Sequence, residues 1–200
     1  MQDLATICKI AIDAGRKLDL TGCYHEIEGR HAYEVCNYYP LLAGLALTTG
    51  MSQYLDVGTR YGGSVLSVRK GLKDQAQRTL VTIDIMDRGS EELPKVPDVI
   101  RLYGDSVSPE IVKKVHEIFQ PPIDMVFIDA IHTYEHTKAN IEAYAKSLNP
   151  RFLVLDDIIL NDSMKRLWEE LLQQFPSDRI YDASKLTTRV KCGIAVIAWR

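Results

Sequence analysis

The sequence predicts an α/β fold: a doubly wound, mostly parallel sheet with helices on both faces, its last strand antiparallel, preceded by a helical extension. Three observations carry this. From residue 51 onward, short apolar runs alternate with segments of helical periodicity. Four of the runs are nearly continuous in Val, Ile, Leu and Phe, as strands covered on both faces require. The order strand, helix, strand, helix then implies right-handed crossovers in one open sheet.

The elements follow in chain order. Leu4, Ile7, Ala11, Ala14 and Leu18 mark one helix, and residues 40–48 a second. Between them, residues 22–39 are polar and carry Tyr24, His25, His31, Tyr33, Tyr38 and Tyr39. That stretch suits either a lid that shields a substrate or simple packing, on the surface or in a homodimer. Residues 1–50 are read as a helical extension or lid, and residues 51–200 as the main domain. A strand at 54–57 runs into a turn with glycines at 58, 62 and 63, which permit positive φ and close backbone approach. A helix near 65–72 follows and points its first N–H groups back at that turn.

Further strands are predicted at 80–85, 99–103, 125–129, 152–156 and 193–199. Residues 87–99 contain Pro94 and Pro97 and are too short for a full crossover helix. Ser108-Pro109-Glu110 supplies an N-cap, a proline at the first helical position and an acid in the first turn, with Val112, Val115 and Phe119 as the buried stripe. A helix over 133–148 turns Tyr134, Ile141, Tyr144 and Leu148 to one face. Asn161-Asp162 caps a helix whose stripe is Met164, Leu167, Trp168, Leu171, Leu172 and Phe175, and Pro176 stops it.

Composition narrows the function. The 200 residues are 46% hydrophobic, enough for one domain that buries roughly 70% of its unfolded surface. A net charge of −3 with scattered Lys and Arg argues against nucleic-acid binding. No apolar stretch approaches the roughly 18 residues that span a bilayer, and the N-terminus lacks a signal-peptide pattern, so a soluble, cytoplasmic protein is expected. Cys8, Cys23, Cys36 and Cys192 have neither CxxC nor zinc-like spacing and read as reduced and structural.

Ligands of an open α/β sheet bind outside the carboxyl ends of its strands. Here every predicted parallel strand ends in acid: Asp56-Val57-Gly58, Asp84, Gly104-Asp105-Ser106, Asp129 and Asp156-Asp157. A single Asp at a strand end is often a turn residue. Five in succession point to a site.

This ordered set resembles the class I S-adenosylmethionine-dependent methyltransferases. It runs through Asp56-x-Gly58-x-x-x-Gly62-Gly63-Ser64, Asp84, Gly104-Asp105-Ser106, Phe127-Ile-Asp129-Ala-Ile-His132-Thr-Tyr134 and Leu155-Asp156-Asp157. The likeness covers roughly residues 51–160. It is most similar to small-molecule O-methyltransferases with an IDxxHxY segment, the cephalosporin-biosynthesis and macrocin types, and more distantly to the catechol type. It implies a Rossmann-like sheet and methyl transfer to a hydroxyl of a small-molecule acceptor. Arg60 departs from the pattern, standing where many members of the superfamily carry glycine.

The resemblance also implies roles. The loop Gly58, Thr59, Gly62, Gly63 and Ser64, with Asp56, would underlie the methionyl part of S-adenosylmethionine. Asp84, 21 residues after Gly63, would accept hydrogen bonds from the ribose hydroxyls. Asp105 and Ser106 would contact adenine, and Asp129 would border both cofactor and acceptor. Asp129, Asp156 and Asp157 bring three carboxylates together, which calls for a cation, a proton or hydrogen bonds. Oxygen ligands favour Mg²⁺ or another hard divalent ion. His132 stands where the catechol type carries its base; it suits a general base, a metal ligand, or a histidine that merely caps the next helix. Tyr134 belongs to the pocket or to the helix stripe, and His136 is expected to be exposed or packing.

Two other classes fit the fold. An NAD-binding oxidoreductase also needs glycines after its first strand and an acid after its second, but the glycine spacing is not G-x-G-x-x-G, and Asp129 and Asp156-Asp157 would go unexplained. A non-catalytic cofactor-binding protein is the third, because fold alone does not guarantee activity.

Overall fold

The structure, a computed structural model, describes residues 3–24, 27–28, 32–33, 36–72 and 77–200. Its elements are α1 (Leu4–Gly15), the short antiparallel pair β1 (Ile27–Glu28) and β2 (Ala32–Tyr33), α2 (Tyr39–Thr49), β3 (Gln53–Val57) and α3 (Gly63–Gly71). Then come β4 (Thr79–Asp84), β5 (Val99–Tyr103), α4 (Pro109–Ile118), β6 (Met125–Ile128) and α5 (Tyr134–Asn140). A π-helical turn at Ile141–Ala145 leads into α6 (Lys146–Leu148), followed by β7 (Phe152–Asp156), α7 (Asp162–Gln174), β8 (Ile180–Asp182) and β9 (Ile194–Ala198). His25 and His31 lie outside the described residues.

Seven strands form one sheet in the order β5-β4-β3-β6-β7-β9-β8. The first five are mutually parallel, and β9 runs antiparallel to both β7 and β8. The doubly wound, mostly parallel sheet predicted from the sequence is the one observed. The strand order reverses between β3 and β6, so the cleft of such a sheet opens at their carboxyl ends.

The near-continuous apolar runs are explained by two cores. Tyr54, Leu80, Met125, Phe127, Phe152, Val154, Ile194 and Val196 pack on one face with α1, α2 and α3. Leu55, Val81, Val126, Ile128, Leu153, Leu155, Ala195 and Ile197 alternate onto the other with α4, α5 and α7. α2 is buried over most of its surface, as a helix wedged inside a core must be. α1 and α2 thus belong to the same core as the sheet. Between β4 and β5 only a 3₁₀ turn, Leu93–Lys95, replaces a crossover helix, in keeping with the two prolines there.

The caps fall where the sequence put them. The Ser108 side chain accepts from the Ile111 N–H and Asn161 from Met164, each satisfying a free donor of a first turn. Three details differ. Leu172 faces solvent rather than joining the α7 stripe, α4 buries Ile111 with Val115 while Val112 packs only partly buried against the same core, and the short β8 carries no apolar run to announce it.

Candidate active site

The carboxyl ends of β3, β4, β5 and β6 enclose a cavity of about 470 Å³, within the usual range for a small-molecule site. Its floor and walls come from Gly58 and Arg60, Asp84 and Ile85, Gly104, Asp105 and Ser106, and Asp129, Ile131 and His132. The first turn of α5 adds His136, which is half-buried against the cavity rather than on the open surface.

Asp84, the last residue of β4, faces the cavity and is held from the glycine loop, whose Arg60 N–H donates to Oδ2 at 2.7 Å. Arg60 makes that bond with φ at +52°, the left-handed region that glycine takes without strain. The departure from glycine is therefore one of side chain, with the backbone conformation kept. Arg88 lies 3.4 Å from Asp84 Oδ1 and lines the same wall.

The glycine loop itself corrects the sequence reading. Gly58, at φ +99°, borders the cavity, and a Cβ there would fall 1.8 Å from the Asp129 carbonyl oxygen. Gly62 and Gly63 do not line the cavity: the space a Cβ would take is filled by Leu93 in one case and by Tyr39 and the Tyr24 carbonyl in the other. Thr59 is buried, its hydroxyl donating to the Ile83 carbonyl. Asp56 is 0% exposed and is not among the residues that line the cavity. It accepts from Tyr54 at 3.0 Å, Ser64 at 2.9 Å and Thr82 at 3.0 Å, tying β3, α3 and β4 together. Burial pushes its carboxyl up to about 7, against the pull of those three hydroxyls.

Asp129 and His132 line the cavity, and with Asp157 behind them three donor atoms converge. His132 Nε2 lies 3.1 Å from Asp129 Oδ1 and 3.4 Å from Asp157 Oδ2. Burial pulls the His132 pKa down, but the hydrogen bond and charge of Asp129, with Asp157 and Asp156 behind, outweigh it and hold it above the ordinary value. Each carboxylate is braced on its other oxygen. The Tyr38 hydroxyl donates to Asp129 Oδ2 at 2.8 Å, and Arg189 Nη2 to Asp157 Oδ1 at 2.8 Å. Asp157 reaches its place with φ at +57°, a conformation Asp tolerates better than most residues.

Asp156 does not join this cluster, contrary to expectation. Arg189 takes both its oxygens, Nε to Oδ1 at 2.7 Å and Nη2 to Oδ2 at 2.6 Å, and it is 1% exposed. Burial and then the repulsion of Asp129 still push its carboxyl up, against the pull of Arg189. The guanidinium also stacks over the Tyr38 ring at 5.0 Å. The metal-ligating set that fits is thus Asp129, His132 and Asp157, whose ligand atoms lie within 4.8 Å of one another. The two carboxylate oxygens suit Mg²⁺ or Mn²⁺ and the imidazole shifts the preference toward Mn²⁺ or another transition metal, while the two charges left over by Arg189 balance one such ion.

Tyr134 sides with the helix: its hydroxyl donates to Glu170 of α7, and Lys138 and Arg166 stack on its ring. The cysteines are free, and burial pushes the thiols of Cys8, Cys23 and Cys36 up to about 12, which leaves them inert. No helix among the described residues is long and apolar enough to cross a membrane. Sequence reasoning missed Arg189, Arg88 and the cavity position of His136. Gly104 was signalled by the Gly-Asp-Ser triplet; Arg189 meets Asp156 only through the pairing of β7 with β9.

The family model described as rhamnosyl O-methyltransferase/CmcI matches residues 51–176. No curated protein matches the chain significantly in sequence. Among solved structures, cofactor-bound Rv0187 from MTB is similar with a TM-score of 0.62 and 20% identity over 98% of this chain and 89% of that one. The O-methyltransferase from Bacillus cereus in complex with SAH gives 0.58 and 16%, covering 99% and 92%. The MycE methyltransferase of the mycinamycin biosynthetic pathway, in complex with Mg and SAH, gives 0.54 and 16%, covering 74% of this chain and 45% of that one. At such identities these likenesses speak for the fold.

Proposed function

The chain belongs to the rhamnosyl O-methyltransferase/CmcI family, and from that premise we propose that its cavity binds S-adenosylmethionine and presents it to the hydroxyl of a small-molecule acceptor at the Asp129–His132–Asp157 end. The observation that carries this reading is one cavity lined both by an acid suited to a ribose, Asp84, and by two members of a proton- or cation-holding cluster, Asp129 and His132. When bound, S-adenosylmethionine supplies an activated methyl group for direct displacement by the acceptor oxygen. Asp84 accepts hydrogen bonds from vicinal hydroxyls, with its orientation fixed by the Arg60 N–H. Asp105 and Ser106 face the base, and Gly58 lets the chain come close without a side chain.

At the reacting end, Asp129 Oδ1 and Asp157 Oδ2 stabilise positive charge at His132 Nε2. With Nε2–H donating to Asp129, a proton taken from the acceptor hydroxyl settles on Nδ1, and the two carboxylates favour the imidazolium so formed. A divalent ion held by Asp129, His132 and Asp157 would lower the pKa of the acceptor hydroxyl instead. The assignment of MycE as an Mg complex and the donor chemistry here support including that ion in the reading. Tyr38 and Arg189 keep the carboxylates aimed in either case.

Calorimetry with S-adenosylhomocysteine, S-adenosylmethionine and NAD, each with and without Mg²⁺, tests the proposal. Binding of the two adenosyl sulfur compounds with no response to NAD is the expected result. Binding of NAD alone would overturn it.

A further inference from the structure

His136 was expected to be exposed or packing, yet it is half-buried on the cavity wall beside Asp105. Its ring is held from behind by Asn140, one turn later on α5. Asn140 Nδ2 donates to the His136 carbonyl oxygen at 3.0 Å and lies 3.1 Å from His136 Nδ1. The first bond fixes the amide, because a reversed amide would set Oδ1 against a carbonyl oxygen. With the amide so fixed, its nitrogen donates to Nδ1 as well. Nδ1 is then an acceptor, and the neutral ring carries its proton on Nε2, the atom turned toward Asp105.

This arrangement has a cost that points to a use. Asn140 is fully buried, and its Oδ1 has no hydrogen-bond partner among the described residues. A buried carbonyl left without a donor is unfavourable, so orienting His136 is maintained against that loss. Nε2 stands 3.6 Å from Asp105 Oδ1, too far for a hydrogen bond. Asp105 is fixed in turn by the Val107 N–H, which donates to its Oδ1 at 3.1 Å. A donor and an acceptor, each oriented from behind, therefore sit side by side on one wall without consuming each other.

We propose that His136 and Asp105 together read the edge of the cofactor's base, Asp105 accepting from an exocyclic amino group and His136 Nε2–H donating to the adjacent ring nitrogen. A 6-aminopurine presents that donor and acceptor on neighbouring atoms. A 6-oxopurine presents the reverse order and would set oxygen against carboxylate and N–H against N–H. The pair therefore selects adenine over hypoxanthine and guanine, and His136 is a specificity residue. The inference rests on the cofactor reading above and adds to it the residue that chooses the base.

The test is titration calorimetry of the whole protein with S-adenosylhomocysteine and with S-inosylhomocysteine, its 6-oxo analogue. The wild type is expected to prefer the adenine compound by about tenfold or more, the worth of one hydrogen bond gained and one polar group left unpaired. His136→Phe keeps a ring and removes the donor, so it should weaken S-adenosylhomocysteine by about tenfold and narrow the preference. His136→Gln, which keeps an N–H at similar reach, should recover part of both. Asp84→Ala weakens both compounds alike and leaves the preference unchanged. Equal wild-type affinity for the two compounds overturns the inference and leaves the cofactor site standing. So does a His136→Phe protein with unaltered affinity and preference. Failure of the wild type to bind either compound overturns the cofactor reading itself.

Discussion

Replacing Arg189 with methionine keeps most of the aliphatic volume and removes the guanidinium. In the wild type that group makes two hydrogen bonds of 2.6 and 2.7 Å to Asp156 and one of 2.8 Å to Asp157. The Asp156 side chain is 0% exposed and that of Arg189 18%, so water replaces little of what is lost. Removing one partner of a buried ion pair costs about 3–5 kcal/mol. At roughly 2–4 °C per kcal/mol for a chain of this size, Tm should fall by about 6–20 °C.

The pH dependence has a definite sign. With Arg189 gone, the folded-state Asp156 carboxyl rises further above its unfolded value, so the folded state holds a proton that the unfolded state has lost. The deficit of the variant therefore shrinks as pH falls and grows as pH rises through the weakly acidic range. Asp156→Asn on top of Arg189→Met removes the stranded charge and should return more than half of the loss. Urea unfolding of the wild type, both single variants and the double variant at pH 5 and pH 8 gives all four terms. A loss below about 1 kcal/mol, flat in pH, is what an exposed pair gives, and would refute the role assigned to Arg189.

Three other outcomes follow from the same geometry. Asp84→Ala should weaken S-adenosylhomocysteine by at least about tenfold in calorimetry, since charge-assisted bonds to two hydroxyls are worth about 1.5–3 kcal/mol; unchanged affinity removes Asp84 from the site. The Asp56 carboxyl rises from 3.8 to about 7 on folding, so the folded state binds the extra proton and stability falls as pH rises through that window, by about 4 kcal/mol in full. Asp56→Asn should flatten that part of the Tm–pH curve. Gly58→Ala brings a Cβ to 1.8 Å from the Asp129 carbonyl at φ +99° and should prevent stable folding, whereas Gly50→Ala, at φ +66° with nothing within 4 Å, should cost only about 1–2 kcal/mol in thermal unfolding.

The sheet was legible because its strands are buried on both faces, and two-sided burial writes an unbroken apolar run that a helix stripe does not. Ile180-Tyr181-Asp182 escaped notice because a three-residue strand at the edge of the sheet needs no such run. In the site, acids at strand ends were visible but not their depth. Asp84, Asp105 and Asp129 open on the cavity, while Asp56 and Asp156 continue the faces of Tyr54 and of Phe152 and Val154 into the interior. The glycines misled for a related reason. A residue lacking Cβ leaves room for a ligand or for a neighbour, and only the fold shows that Leu93 and Tyr39 take the room at Gly62 and Gly63. Asp156 was assigned to the metal because its partner is 33 residues away on a loop with no signature of its own.

β9 pairs with β7 and β8 through residues that are apolar on both sides, Ile194 and Val196 toward one core, Ala195 and Ile197 toward the other. Hydrophobic patterning normally locks register, because a slip of one residue turns the wrong face to water. Here a slip would exchange one apolar row for another, so exposure to water alone does not oppose it. Arg189, on the connection between β8 and β9, can grip Asp156 at the tip of β7 in only one alignment, with Asp156 opposite Ile194. The ion pair thus acts as the key that tells an otherwise ambiguous hairpin where to stop, and a protein without it should populate a misaligned sheet as well as a weaker one.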